Sequence, residues 1–435
     1  SALNPSLDSW DQAPAASELE AMVTRLTATE VYGTDPAGTS GSAGTSGSTG
    51  TSGSARTSGS AGTSGSAGTS GSAGTSGSAG TSGTSGSAGS AGTSGSAGTS
   101  GTSGSTGTSG SAVTPDSVVT TGGTESNQLA LLLAREAYGG SVRLVTGANA
   151  HHSLPRAAWL LGLPDPVVLP APAGTLDPTA LAETLTRLTG PLLVAATAGT
   201  TDAGLIDPLP QIAAHCAARG ARLHIDAAYG AGLLLSTRHR GLLNGLEAAD
   251  TVTLDLHKLG WQPVAAGFLA VRDAHDLTAL RHRADYLNAT DDTEAGLPDL
   301  LGRSLRTTRR PDVLKLAVTL KTLGRAGLGT LVDQVCARAR EFAALVHAHP
   351  GFELHAPPVI STVLFRPADA PDATVAAVRR ALLTDGRAVL GRARLDGRLW
   401  LKATLLNPAT GPDDLAALLH LVAESRATLV EGHTP

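Results

Sequence analysis

The residues best placed to do chemistry lie in TVTLDLHKLGWQP, residues 251 to 263, and centre on the pair His257-Lys258. Alternating apolar residues over 251–256 read as a strand, and the Gly-Trp-Gln-Pro after the pair can continue neither strand nor helix. A lysine is thereby set at a strand end. An ammonium beside a packed sheet is costly to desolvate unless it is partnered or held neutral. One chemistry that uses such a lysine is Schiff-base attachment of an aldehyde cofactor. Taken alone, a solvated lysine after a strand is the plainer reading.

Four further stretches offer groups that suit the same chemistry. TTGGTES, residues 120–126, places two glycines ahead of a helix opening near Glu125, where unpaired N–H groups of the first turn, around Thr124 and Glu125, can receive a phosphate. HIDAAYG, residues 224–230, ends a strand in Asp226, and a buried carboxylate there needs a cationic partner such as a protonated pyridine nitrogen. Ala228 is small enough to let a flat ring lie close to the backbone. In ANAHHSLP, residues 148–155, His151 could lie over an aromatic cofactor or simply cap a helix, with His152 beside it. TAGTTDAG, residues 197–204, ends a strand in small and hydroxyl residues, of which Thr201 is the expected contact. Each feature alone has an ordinary structural explanation: turn chemistry, an N-cap, a core polar residue.

These groups must be held by an alternation of strands and helices. From residue 113 the periodicity predicts strands over 117–121, 142–147, 165–170, 191–201, 221–230, 251–256 and 265–272, with helices over 125–137, 151–162, 178–188, 208–219 and 274–283. Such alternation implies a mainly parallel sheet with helices on both faces and functional groups at the carboxyl ends of the strands. Residues 285–310 read as a long loop, followed by helices over 312–323 and 330–348, a strand over 359–365, a helix over 372–383, a strand over 398–405 and a helix over 412–429. Ahead of all this, a helix over 14–31 shows an apolar stripe of Leu19, Met22, Val23 and Leu26.

Between that first helix and the sheet lies a Gly/Ser/Thr/Ala repeat of GTSGSAG-type units, roughly residues 38 to 112. It has almost no apolar side chain to offset its chain entropy, so a disordered tether is expected. The cost of closing so long a loop grows only logarithmically with length. The remaining part of the 435-residue chain suffices for a large α/β domain and a smaller companion. The expected division is 1–33 (N-terminal loop and helix), 34–112 (low-complexity insertion), 113–320 (large domain) and 321–435 (small domain). A formal charge of −5 is too small to suggest a nucleic-acid or membrane-surface partner. Two cysteines, Cys216 and Cys336, form neither a disulfide framework nor a metal-ligand pattern, so no metal and a reducing cytoplasm are expected.

The order and spacing of these groups resemble the pyridoxal-phosphate-dependent group II amino-acid decarboxylases. The stretches that carry the resemblance are NPSLDSWDQAPAASELE, TTGGTESNQLALLLAR, HHSLPRAAWLLGL, TAGTTDAGLIDPL, HIDAAYGAG, DLHKLGWQP, YLNATDDTEAG and SLRTTRRPDVLKL, which cover nearly everything outside the repeat. YLNATDDTEAG and the SLDSWDQ start lean toward bacterial L-2,4-diaminobutyrate decarboxylases. The resemblance implies the fold type I architecture of aspartate aminotransferase, with a mainly parallel seven-stranded sheet in the large domain and a small C-terminal α+β domain. It implies pyridoxal 5′-phosphate as cofactor, an L-amino acid as substrate, amine and CO2 as products, and a homodimer.

Position by position, the resemblance implies that Lys258 holds the cofactor, Asp226 binds its ring nitrogen and His151 stacks on the ring. Thr124 and Glu125, mainly through their backbone, and His257 would lie at the phosphate or around the cofactor, with Thr201 and Ala228 beside the ring. Tyr286 would donate a proton after CO2 leaves, and Arg309, with Arg310 adjacent, matches a family arginine. Asp255, where some relatives carry an amide, is expected to point away from the phosphate. Members of the family usually carry a further segment before the NPSLDSWDQ equivalent and only a short connection where this chain has its repeat. Alternatives are an aromatic substrate, an aldehyde-forming or transaminating relative, which Tyr286 argues against, and a catalytically impaired remnant.

Overall fold

Seven short strands, most of them buried along nearly their whole length, make the main sheet. In the computed structural model residue 7 and residues 13–33, 113–282, 290–297 and 299–431 are described. Residues 34–112, and Tyr286, lie outside the described residues. Helix α1 (Pro14–Tyr32) leads to β1 (Asp116–Thr120), α2 (Gly123–Ala137), β2 (Arg143–Gly147), α3 (Ser153–Leu160), β3 (Val167–Leu169), α4 (Pro178–Arg187), β4 (Leu192–Thr197), α5 (Leu209–Arg219), β5 (Arg222–Ala227), β6 (Thr251–Asp255) and β7 (Gly267–Val271).

The strand order is β1-β7-β6-β5-β4-β2-β3. Strands β2 to β6 pair in parallel, and β7 runs antiparallel to both β6 and β1. Strands β4, β6 and β7 are buried at every position, as expected where helices cover both faces of a sheet. Because β1, β2, β4, β5 and β6 all point the same way, their carboxyl ends open on one edge. That edge carries TTGGTES, ANAHHSLP, TAGTTDAG, HIDAAYG and the His257-Lys258 pair.

The C-terminal part has its own sheet and core. After α6 (Thr290–Glu294) and α7 (Val313–Ala348) come β8 (Phe352–Leu354), β9 (Thr362–Pro367), α8 (Asp372–Thr384), β10 (Gly391–Leu395), β11 (Arg398–Thr404) and α9 (Pro412–Glu431). The four strands pair in the order β10-β11-β9-β8, all antiparallel. Phe342, Phe365, Val378, Leu401 and Val422 centre a cluster distinct from the one beneath the large sheet.

Several elements differ from the sequence reading for identifiable reasons. The two helices expected over 312–323 and 330–348 are both present within α7, on either side of a break at Gly324, whose φ 66° and ψ 174° are not helical but open to glycine; the second begins directly after that break and not at 330. The long loop contains the short helix α6 and a 3₁₀ turn, Leu301–Arg303. The segment Ala274–Leu280 is a 3₁₀ helix. The apolar stripe expected on α1 is rotated: Met22 and Leu26 are 48% and 53% exposed, while Ser17, Glu20, Val23, Thr24, Ala28 and Val31 turn inward. Glu20 is drawn in by Arg309, whose guanidinium donates to both of its carboxylate oxygens at 2.7 and 2.5 Å. Among the described residues no helix is long and apolar enough to cross a membrane.

Candidate active site

The cavity at the carboxyl edge of the large sheet is built from five strand exits. The first is the turn from β1 into α2. Gly123 passes so close to β5 that a Cβ there would sit 2.9 Å from the Cβ of Ala228, so only glycine lets the helix N-terminus face the sheet edge. The first turn of α2 thereby opens on the cavity edge, where backbone N–H groups suit an anion. The exit of β4 is equally tight, because Gly199, at φ 105°, would place a Cβ 2.8 Å from the backbone nitrogen of Gly230.

The remaining exits bring the side chains. His151 comes from the β2–α3 turn, Thr197 and Thr201 from the end of β4, Asp226, Ala228 and Tyr229 from β5, and Asp255, His257 and Lys258 from β6. Together with Thr124 they line one cavity of about 340 Å³, the size of a small-molecule site. Of the residues singled out in the sequence, Lys258, Asp226, His151, Thr124, Thr201, Ala228 and His257 meet here. Glu125 does not line the cavity; its carboxylate turns back to accept from the backbone N and the Oγ1 of Thr121, both at 2.6 Å. Arg309 is taken by Glu20 and is not among the residues lining the cavity. Tyr286 lies outside the described residues.

Asp255 differs from expectation. Its carboxylate does not point away but lies on the glycine turn, accepting from Gly123 N at 3.0 Å and sitting 2.5 Å from Nδ1 of His257. Burial pushes its pKa up, against the opposing pull of Gly123, His257 and Lys258. A carboxylate in this place opposes a second anion on the same N–H groups. Asp255→Asn is therefore expected to tighten binding of inorganic phosphate to the cofactor-free protein about tenfold, the effect of removing roughly one pK unit of like-charge interaction. Calorimetric titration checks this, and weaker binding would show that the carboxylate supports the turn instead.

Behind the cavity floor lies a buried polar network that sequence reasoning did not find. Asn127 Nδ2 donates to Asp226 Oδ2 and to Ser153 Oγ, both at 2.8 Å. Its Oδ1 accepts from Thr253 Oγ1 at 2.7 Å and meets His224 Nε2 at 3.0 Å. Ala228 N donates to the other carboxylate oxygen of Asp226 at 3.0 Å. The available signal was polar residues, Asn127 and His224, at inward positions of otherwise apolar elements.

Full burial pushes the His224 pKa down to about 4, despite the nearby Asp226. The folded protein then holds fewer protons than the unfolded chain below about pH 6.5. The stability is complete above pH 6.5 and is lost as pH falls from there through about 4. Thermal melts across that range are expected to show the loss, and His224→Gln, which keeps a donor for Asn127, is expected to flatten it.

Around the cavity, Asp207 ties two of the exits together. It accepts from Thr197 N at 2.7 Å, Leu176 N at 2.8 Å and Asn149 Nδ2 at 2.8 Å. Tyr229 closes the wall toward the second sheet, its hydroxyl 2.7 Å from Ser361 Oγ.

The donor set fits pyridoxal phosphate. An amine (Lys258), a carboxylate with remaining acceptor capacity (Asp226), an imidazole (His151) and a glycine-lined helix N-terminus share one cavity, and the Oγ1 of Thr197, which also lines it, is buried without a partner among the described residues. Comparison with known proteins agrees. The model of the pyridoxal-dependent decarboxylase conserved domain matches residues 105–368, and a collagen triple helix repeat model matches 33–90 and 56–116. The chain is 42% identical over 330 residues to L-2,4-diaminobutyrate decarboxylase of Rhizobium meliloti (strain 1021), covering 72% of this chain and 66% of the relative. It is 33% identical over 338 residues to the enzyme of that name from Acinetobacter baumannii, covering 69% and 66%. It thus spans just under two thirds of the length of these relatives. Among solved structures, the glutamate decarboxylase domain of diaminobutyrate-pyruvate transaminase and L-2,4-diaminobutyrate decarboxylase from Vibrio parahaemolyticus matches with a TM-score of 0.70 and 27% identity, covering 98% of this chain and 76% of that one. The architecture is fold type I, with a mostly parallel seven-stranded sheet and a smaller C-terminal sheet. The chain belongs to the pyridoxal-dependent decarboxylase family, whose cofactor is pyridoxal 5′-phosphate.

Proposed function

We propose that this chain decarboxylates an L-amino acid to its amine, with a diamino acid of the 2,4-diaminobutyrate type as substrate. The observation that carries the reading is the single cavity in which Lys258, Asp226 and His151 meet a glycine-lined helix N-terminus. The substrate class rests on the 42% identity to a diaminobutyrate decarboxylase. Bound pyridoxal phosphate supplies a sink for the electron pair left when CO2 departs.

The protein's own groups do the rest. Lys258 Nζ would hold the cofactor through its aldehyde carbon. Asp226 would accept a hydrogen bond from the protonated ring nitrogen and favour its cationic form. His151, Ala228 and Thr201, which line the same cavity, would flank the ring. Backbone N–H groups at Thr124 and Glu125, with His257, would hold the phosphate. Tyr286 delivers the proton to the α-carbon of the product. The site is proposed to act in a cytoplasmic homodimer, a symmetric pair being the commonest assembly for such enzymes.

The test is an absorbance spectrum of the full chain with pyridoxal phosphate, then CO2 release from diaminobutyrate, lysine, ornithine, glutamate, tyrosine and tryptophan. A cofactor band with CO2 from diaminobutyrate is expected. A band with CO2 from another amino acid overturns the substrate class, and no band overturns the reading altogether. Light scattering checks the dimer, which a fully active monomer would refute.

A further inference from the structure

The network beneath the cavity has a direction, and that direction reaches His151. The Asp226 carboxylate offers acceptors, so the group 2.8 Å from its Oδ2 must be the amide nitrogen of Asn127. The amide oxygen is then fixed on the opposite side, facing Thr253 Oγ1 and His224 Nε2. His224 is fully buried, and against an oxygen that only accepts, its Nε2 carries the proton. Its Nδ1 is left to accept from Thr251 Oγ1, 2.9 Å away. Each choice forces the next.

The second N–H of the Asn127 amide donates to Ser153 Oγ at 2.8 Å. With a lone pair of that hydroxyl taken, its proton is directed to His151 Nδ1, 2.8 Å away. The backbone N–H of Ser153 points at the same ring nitrogen from 3.3 Å. Two donors on Nδ1 leave the ring proton on Nε2. Asn127, Ser153, Thr253 and His224 are all 1% exposed or less, so water does not compete for these bonds.

We propose that Asn127 is a positioning residue that, through Ser153, fixes His151 as the Nε2–H tautomer while holding the Asp226 carboxylate on the same amide. One side chain thereby sets both the group beneath the ring nitrogen and the donor presented over the ring face. The consequence for catalysis rests on the reading of this cavity as the pyridoxal phosphate site. The tautomer itself does not.

The test uses the cofactor-free full chain labelled with ¹⁵N in the histidine rings, the His151 signals being assigned by their loss in His151→Gln. In the wild type the expected pattern is a protonated Nε2 and a bare Nδ1 at neutral pH. Ser153→Ala, which keeps the other bonds of Asn127, is expected to mix the two tautomers with the histidine signals of His224 unmoved. Asn127→Ala is expected to mix them as well and to weaken pyridoxal phosphate binding about tenfold, the scale of losing an orienting partner behind a ligand-binding group. Should Asn127→Ala not fold, Ser153→Ala carries the test. A wild-type ring protonated on Nδ1, or a ring unmoved by Ser153→Ala, overturns the proposal. A merely structural role for the network would lower the melting temperature without changing the ring signals. Failure of decarboxylation in the substrate panel leaves the ring signals readable, so the two readings fail separately.

Discussion

Lys258→Ala is expected to abolish turnover, by about a thousandfold or more, together with the visible absorbance of the lysine-bound cofactor. The expectation follows from the composition of the cavity. Lys258 is the only primary amine among its described lining residues, so no neighbour can take over covalent attachment, and removing a nucleophile of this kind costs several powers of ten in other enzymes. Lys258→Arg should fare no better, because a guanidinium keeps the charge but does not condense with an aldehyde. Affinity should suffer less than rate. The glycine turn, His257, Asp226 and His151 remain in place, and equilibrium dialysis should still find the cofactor retained. CO2 release within tenfold of wild type would remove Lys258 from the mechanism.

The second large effect concerns stability. Glu20 and Arg309 form a salt bridge whose side chains are each 1% exposed. Two charges so deeply placed are held by one another, and truncating one leaves the other buried without compensation. Glu20→Ala is expected to cost roughly 3–5 kcal/mol. The double replacement of Glu20 and Arg309 by methionine should recover most of that, since apolar groups of similar volume carry no desolvation penalty. Denaturant melts of the wild type and the two variants check both statements. A Glu20→Ala protein as stable as wild type would mean that Arg309 finds another partner or water.

What could be read in the sequence follows from what its signals measure. Strand and helix periodicity placed β1 to β7 and their helices within a few residues, because apolar runs bounded by Gly and Pro report burial directly. The short strands β8 and β10, with only three and five residues, gave no such run. The break between the two halves of α7 at Gly324 was legible because glycine takes a non-helical backbone state cheaply; the start of the second half directly after it was not. The side chains at strand ends were legible one by one, and the structure places seven of them around one cavity. Their partners were not. Asn127, Ser153 and Asp207 act across long sequence separations, and nothing local distinguishes a serine that orients a histidine from one that opens a helix. Asp255 was misjudged because Gly123, whose N–H its carboxylate accepts from, is 132 residues away in the chain.

The way α1 is held has a consequence for chain topology. The helix is fixed by contacts that do not pass through the segment between it and β1: Glu20 to Arg309, Glu30 to both Arg240 and Arg325, and Ser117 Oγ donating to the carbonyl of Thr24 at 2.8 Å. Covalent continuity between residues 33 and 113 is therefore not what keeps α1 in its seat. A single cut between those points should give a nicked protein whose two fragments co-purify under native conditions and separate only in denaturant, and the same break is a natural place for new chain ends.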